Sequence, residues 1–216
     1  MESKEKPFLT GHSIYLRMPR EEDITRGNWR HWYNDQDTTR YNSHGIFPLS
    51  IEQELEIVRS TSVRMDCLLV AIVEKGTDRL LGNAALKNIN LLDRSCNLSL
   101  TIGEPAGMST GVEAFGLLAG HAFSRLNMNR ISEGTHEKLI TFVHMLKVLG
   151  FEIEGRGRQH FFRDGRFSDS ILYAALAQDF FQLQRERGGS ILFDTHEQLL
   201  EAIAAATRAA ATPRSK

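Results

Sequence analysis

The chain has 216 residues, 41% of them apolar and 25% charged, with a formal net charge of −1. That composition is enough for one soluble domain with a full core, with or without an appendage, and it lacks the basic field of a nucleic-acid binder. No apolar run approaches the roughly 20 residues of a membrane span, so neither nucleic acid nor membrane is expected as a partner. The leading MESKEKPF is charged, without the apolar centre of a signal peptide. Cys67 and Cys96 lie far apart in apolar strand-like runs; both are expected reduced and buried, which points to a cytoplasmic address.

Residues 1–12 read as a frayed end. His12 to Met18 alternates Ile14, Leu16 and Met18 on one face, a first strand. Pro19 to Asp23 then offers a proline and acidic residues, signs of a helix start. Trp29 and Trp32 stand three apart and share a helix face, broken at Asn34-Asp35. Trp32, Tyr33, Asn34 and Tyr41 offer stacking and hydrogen-bonding groups for a substrate, with half-buried packing as the alternative. After the connecting segment Ile46 to Leu49, Ser50 caps a helix that carries Glu54 near its first turn and runs through Arg59. Cys67 to Glu74 is a buried strand, Lys75 to Arg79 a hairpin turn, and Leu80 to Asn88 the next strand, with Gly82 marking a bulge or a close approach.

Asp93 to Ser95 turn the chain into the strand Cys96 to Gly103. A glycine turn, Gly107-Met108-Ser109-Thr110-Gly111, follows, and then a helix with Val112, Phe115, Leu118 and Ala122 on one stripe. A strand, a glycine turn and a helix in succession aim backbone N–H groups and the positive helix end at one spot. A pyrophosphate suits that spot, and an ordinary strand-to-helix connection is the alternative. Arg130 to Thr135 is strand-like. Glu137 to Leu149 has helical spacing and is closed by Gly150 as a C′ glycine. Two strands around Asp164-Gly165 end near residue 176.

From about Gln178 onward the sequence is helix-prone. Phe180, Phe181 and Leu183 precede Gly188-Gly189, and Ile191, Leu192 and Phe193 follow it. Asp194 or Thr195 is placed to cap a helix bearing Leu199, Leu200 and Ile203. The expected division is a domain over residues 1–177 and a helical extension over 178–216. The two apolar clusters suggest docking either on the domain itself or, the preferred expectation, on a second copy in a homodimer.

The order of these segments over residues 12–177 resembles the GNAT superfamily of acyl-CoA-dependent N-acyltransferases. The branch most like it acetylates ribosomal-protein N-termini and nucleotide-linked amino sugars. Tyr15-Leu16-Arg17 with Glu22-Asp23, Trp32 with Asn34-Asp35 and Tyr41, and Leu81-Gly82-Asn83 match the early motifs. Gly111, Glu113, Ala114, Leu117, Leu118, Ala122, Phe123 and Leu126 fall in register with the cofactor-loop helix. Leu149-Gly150-Phe151, Glu154-Gly155, Arg158, Asp164-Gly165 and Asp169 match the ending. The resemblance implies an α/β fold, a mixed and mostly antiparallel central sheet flanked by helices. It also implies acetyl-CoA as co-substrate, with pantetheine along Leu100, Thr101 and Ile102 and pyrophosphate at Gly107, Met108, Ser109, Thr110, Gly111 and Val112.

The departures fall in the site. Ala106 and Ser109 replace the Gln/Arg and first glycine of the pyrophosphate loop; a serine serves there if its φ is negative. Leu146 stands where many members place a tyrosine acid, Leu139 where an asparagine is usual, and Asn97 where relatives often carry a glutamate. Acyl transfer from a thioester needs a neutral amine, a stabilised oxyanion and a departing thiolate. His136, Glu137 and His160 are candidate bases, each with a role-free polar residue as the alternative. Tyr173 is a replacement acid or a packing residue. No metal-ligand spacing and no nucleophile turn occur, so neither a metal enzyme nor an acyl-enzyme is expected. The expected function is acetylation of a primary amine, a nucleotide-linked amino sugar or another small amine. The alternatives are a non-catalytic coenzyme A- or partner-binding module and a protein N-terminal acetyltransferase.

Overall fold

The computed structural model describes residues 6–42 and 45–211, without the side chains of Met108, Ala210 and Ala211. Alternation lays down the first strands. β1 (Leu9–Thr10) folds back on β2 (Ile14–Arg17), whose Ile14 and Leu16 are buried. The expectation of a frayed end through residue 12 is therefore corrected for the part described. The turn between the strands is pinned from outside, because Ser13 gives its N–H and its hydroxyl to the fully buried Glu113 carboxylate at 3.0 and 2.5 Å.

Three short helices follow: α1 (Glu21–Thr25), α2 (Trp29–Asn34) and α3 (Gln36–Thr39). α2 ends at Asn34 because Asp35 leaves helical geometry and caps α3, its carboxylate accepting from the Thr38 N–H. Trp29 and Trp32 share the inward face and stack with ring centroids 6.2 Å apart. α4 (Ile51–Ser62) starts at a capping box of Ser50 and Gln53 and runs past Arg59.

The central strands are β3 (Leu68–Glu74), β4 (Leu80–Asn90) and β5 (Ser95–Ile102). Gly82 is a close approach, since a Cβ there would lie 2.2 Å from the Thr101 carbonyl oxygen of β5. After β5 come α5 (Met108–Ser124) and β6 (Arg130–His136). The expected helix over 137–149 is split. A 3₁₀ turn at Glu137–Leu139 leads into α6 (Ile140–Met145), a second 3₁₀ turn covers Leu146–Leu149, and Gly150 at φ 82° closes it. β7 (Glu152–Arg163) and β8 (Arg166–Leu176) form a long hairpin. α7 (Ala177–Glu186) and α8 (His196–Ala211) end the described chain.

These strands form one eight-stranded sheet in the order β1-β2-β3-β4-β5-β6-β8-β7. Every neighbouring pair is antiparallel except β5 and β6, which are parallel. α5 lays Val112, Phe115, Leu118 and Ala122 into the main core. A smaller cluster of Ile24, Trp29, Trp32 and Val58 packs with Ala71 and Val73 of β3.

The extension lies against its own domain. Phe180 is fully buried beside Phe123, with centroids 4.9 Å apart, and Leu199 and Ile203 of α8 join the main core. Leu192 rests on α5 at Gly116, where an added Cβ would come within 2.5 Å of a Leu192 methyl carbon. The His12 ring nitrogen Nε2 lies 3.3 and 3.2 Å from the carbonyl oxygens of Leu192 and Phe193. The clusters from which a dimer through the extension was expected are thus packed within the chain. Among the described residues no helix is long and apolar enough to cross a membrane.

Candidate active site

Parallel pairing of β5 and β6 covers only Ser95 with Arg130, Cys96 with Ile131 and Asn97 with Ser132. Beyond that rung the strands run on, to Ile102 and to His136, without pairing, and a fork opens between them. Asn97 staples its base: its amide Nδ2 donates to the Ser132 carbonyl at 2.7 Å, and its Oδ1 accepts from Asn88 at 2.9 Å. Held this way, Asn97 keeps the strands in step and is not placed as a base.

The fork opens toward the start of α5. Gly107 is the N-cap, in extended conformation, and the exposed Pro105, Ala106 and Gly107 lead up to the first helical turn. Ser109 lies inside that turn and is not a positive-φ residue, which meets the condition set for a serine at this point. A Cβ on Gly107 would meet only the Ser109 hydroxyl oxygen, at 3.3 Å. The first-turn N–H groups and the half-buried Leu100, Thr101 and Ile102 thus suit a pyrophosphate followed by a pantetheine arm. Gly111 also has a packing neighbour besides its expected place at the pyrophosphate. Its φ is helical, and a Cβ there would lie 3.1 Å from the Phe142 ring, so a side chain at this point would press on that ring.

On the face of the sheet away from α5, a cavity of about 340 Å³ runs between α2, α4 and strands β3 to β5. Trp29, Tyr33 and Val58 wall it, and Glu54, Asn83, Lys87 and Ser99 bring polar groups. Glu54 is 4% exposed and accepts a hydrogen bond from the Trp29 indole N–H at 2.9 Å. Burial pushes its carboxyl pKa up, and the Trp29 bond opposes that shift. The Tyr33 hydroxyl donates to Asn83 Oδ1 at 2.9 Å, while the buried Asn83 Nδ2 has no hydrogen-bond partner.

The expected substrate residues separate. Tyr33 lines the cavity. Trp32 does not: its N–H goes to Glu104 at 2.9 Å, and its indole fills the space a Cβ on Gly103 would need. Asn34 ties a loop by exchanging hydrogen bonds with the Leu49 backbone. Tyr41 packs on His136, centroids 4.9 Å apart.

The expected acid–base residues separate too. His136, at the end of β6, is buried against Tyr41 and Phe161, which lowers its pKa. Its Nδ1 accepts the Lys138 N–H, so the neutral ring carries its proton on Nε2. Glu137 is ion-paired with Arg156. His160 is exposed on the hairpin beside Phe161. Tyr173 is a core residue packed on Phe151 and 3% exposed, and burial raises its pKa, so it is corrected from candidate acid to packing residue. Leu146 is likewise fully buried. Of the cysteines, Cys96 is buried with its thiol pushed up to about 12, whereas Cys67 is only half-buried and lines the cavity.

Sequence reasoning missed Trp29, Glu54, Asn83, Lys87 and Ser99. One signal was available for Glu54: it lies on the same stripe of α4 as Ile51, Leu55 and Val58, where a carboxylate is out of place.

Residues 13–152 match the acetyltransferase (GNAT) domain family. Among curated proteins, the chain is similar to the uncharacterized N-acetyltransferase p20 of Bacillus licheniformis. That likeness is 21% identity over 154 residues, covering 69% of this chain and 85% of the relative. Among solved structures it is similar to the spermidine N-acetyltransferase of Vibrio cholerae in complex with CoA and spermine. There the TM-score is 0.69 at 19% identity, over 78% of this chain and 98% of the other. A GNAT-family acetyltransferase of Bacillus anthracis gives a TM-score of 0.66 at 15% identity, over 79% and 98%. The forked sheet, the open start of α5 and this match converge: the chain belongs to the GNAT acetyltransferase family, as an acyl-CoA-dependent N-acetyltransferase with acetyl-CoA as its co-substrate.

Proposed function

We propose that the chain acetylates a primary amine of a small cationic molecule, an aliphatic di- or polyamine in character, held in the cavity between α2, α4 and the sheet. The observation that carries this reading is Glu54. A carboxylate buried in an apolar-walled cavity is costly unless a cation joins it. An alkylammonium supplies that charge, and Trp29 and Tyr33 supply aromatic faces for a cation and its methylene stem. The cavity, about 340 Å³, lies at the small end of the ~300–1,000 Å³ usual for small-ligand sites. That size suits a compact amine better than a nucleotide-linked amino sugar. The Vibrio cholerae enzyme, whose structure holds spermine, supports the same class.

The test is coupled thiol release from acetyl-CoA with spermidine, spermine and glucosamine 1-phosphate as acceptors. The expected result is turnover of at least one polyamine with a kcat/KM ten or more times that for the amino sugar. Preference for the sugar phosphate would overturn the proposed class.

A further inference from the structure

We propose that Glu133 is the group that takes the proton from the acceptor's ammonium, and this rests on the amine-acetylation reading above. Glu133 is the first residue of β6 past the last rung it shares with β5, so it stands at the base of the fork. One of its oxygens, Oε1, accepts the Gly134 N–H at 3.0 Å. The other, Oε2, is buried and has no hydrogen-bond partner. The nearest cation is Lys87 of β4, whose Nζ is 3.7 Å from that oxygen, too far for a hydrogen bond. The ion pair with Lys87 supplies charge but no hydrogen bond, so Oε2 keeps an acceptor position that a donor from a ligand can fill.

Its position suits the reaction. Opposite Glu133 in the β6–β8 register is Tyr173, which faces the core on the α5 side. Lys87 lines the amine cavity on the other side of the sheet. Contact between Glu133 and Lys87 therefore crosses the sheet at the gap between β5 and β6. Lys87, part of the cavity lining, thus brings the cavity up to the carboxylate, and Asn88, also in the lining, is bonded to Asn97 at the fork base.

The competing groups are engaged or turned away. Glu137 pairs with Arg156, His160 is exposed on the hairpin, and the neutral His136 has its Nδ1 lone pair bound and a proton on Nε2. Glu54 is held by Trp29 and serves the cationic stem.

In the step, the ammonium gives one proton to Glu133 Oε2. The freed nitrogen lone pair forms the C–N bond to the thioester carbonyl carbon. The C–S bond then breaks with its electron pair on sulfur, and the surplus proton on nitrogen passes to the thiolate. Products are the amide and the coenzyme A thiol, and Glu133 returns its proton to solvent.

The charged and titratable groups facing Glu133 are Lys87 from β4 and Tyr173 from β8. Farther along its own strand is His136, whose pKa burial lowers. The test compares the full-length wild type with Glu133→Gln, Glu133→Asp and Lys87→Met. Acetyl transfer to spermidine, spermine and glucosamine 1-phosphate is followed from pH 5 to 9, and acetyl-CoA binding is followed by calorimetry. Glu133→Gln is expected to lower kcat about 100-fold or more. It should flatten the acid limb of the pH–rate profile while acetyl-CoA affinity stays within about threefold. Glu133→Asp should recover part of the rate. Lys87→Met should lower kcat less than Glu133→Gln does, because Lys87 neighbours the proton acceptor and is not itself the acceptor.

A Glu133→Gln protein within threefold of wild-type kcat, with the same pH profile, overturns the assignment. So does one that is folded but has lost acetyl-CoA binding. A wild type that binds acetyl-CoA but acetylates none of the three amines overturns the amine reading itself, and the role of Glu133 falls with it.

Discussion

The two faces of the sheet are built to different rules. Toward α5, the core is mainly apolar, its buried Glu113 answered by Ser13, with Phe115 fully buried between Phe142 and Phe151 at centroid distances of 5.5 and 5.6 Å. Toward α2 and α4, Glu54, Asn83 and Tyr33 stand beside the smaller cluster as cavity lining, and the buried Asn83 Nδ2 has no hydrogen-bond partner. The first face holds the fold; on the proposed reading, the second gives up stability to keep groups ready for a ligand. Substitutions on the two faces should therefore part company, with stability moving on one and acceptor binding on the other.

The largest stability effect is expected on the α5 side. Phe115→Ala removes a ring closed in on every side and should cost about 3–5 kcal/mol in urea unfolding. The folded fraction should keep the wild-type KM for the amine. A loss under 1 kcal/mol would mean that this core is less tightly closed than its burial indicates.

Glu54→Gln should do the reverse. It keeps an acceptor for the Trp29 N–H but loses the charge, so the KM for a polyamine should rise at least tenfold, about 1.4 kcal/mol. Stability should stay level or increase. The sign follows from linkage. Burial raises the Glu54 pKa, so as pH rises from the ordinary carboxylate range the unfolded chain releases this proton before the folded one does. Wild-type stability at this site therefore falls with rising pH up to the folded pKa. The advantage of Glu54→Gln should be absent below the ordinary carboxylate range and full above the raised folded value. Chemical unfolding across pH 3.5 to 8 reads that difference, and a variant less stable than wild type at neutral pH would contradict it.

Tyr33→Phe is the mildest of the three. It removes the donor to Asn83 Oδ1 and should cost about 1 kcal/mol of stability and three- to fivefold in kcat/KM. An unchanged kcat/KM would place the bound amine away from this wall.

The same contrast explains what was legible beforehand. The α5 face is encoded as periodicity, and Val112, Phe115, Leu118 and Ala122 read directly as the stripe they form. Gly150 also announces itself, because only its left-handed φ closes the second 3₁₀ turn. The cavity side carries no such pattern. Glu54 passes for a dipole-favourable charge in a first helical turn, and only its place on the stripe with Val58 betrays it. Asn83 and Glu133 look like ordinary polar residues of alternating strands. The place proposed for Glu133 depends on where β5 and β6 part, and pairing between strands separated by a helix leaves no local trace. Trp32, read as a ligand group, serves to seat α2 on Gly103, a contact between distant segments that spacing alone does not reveal.

The bare spot at Gly116 carries a consequence for recombining this protein with its kin. Leu192 occupies the volume that any side chain at 116 would claim, with Leu149 3.2 Å away from the same point. Helix and extension are thus cut to each other, one by omission and the other by insertion. A homologue carrying alanine or anything larger at that position would accept this extension as a graft only if Leu192 moved aside. Conversely, the present domain stripped of its extension would present a notch that a designed leucine-bearing helix could be made to fill.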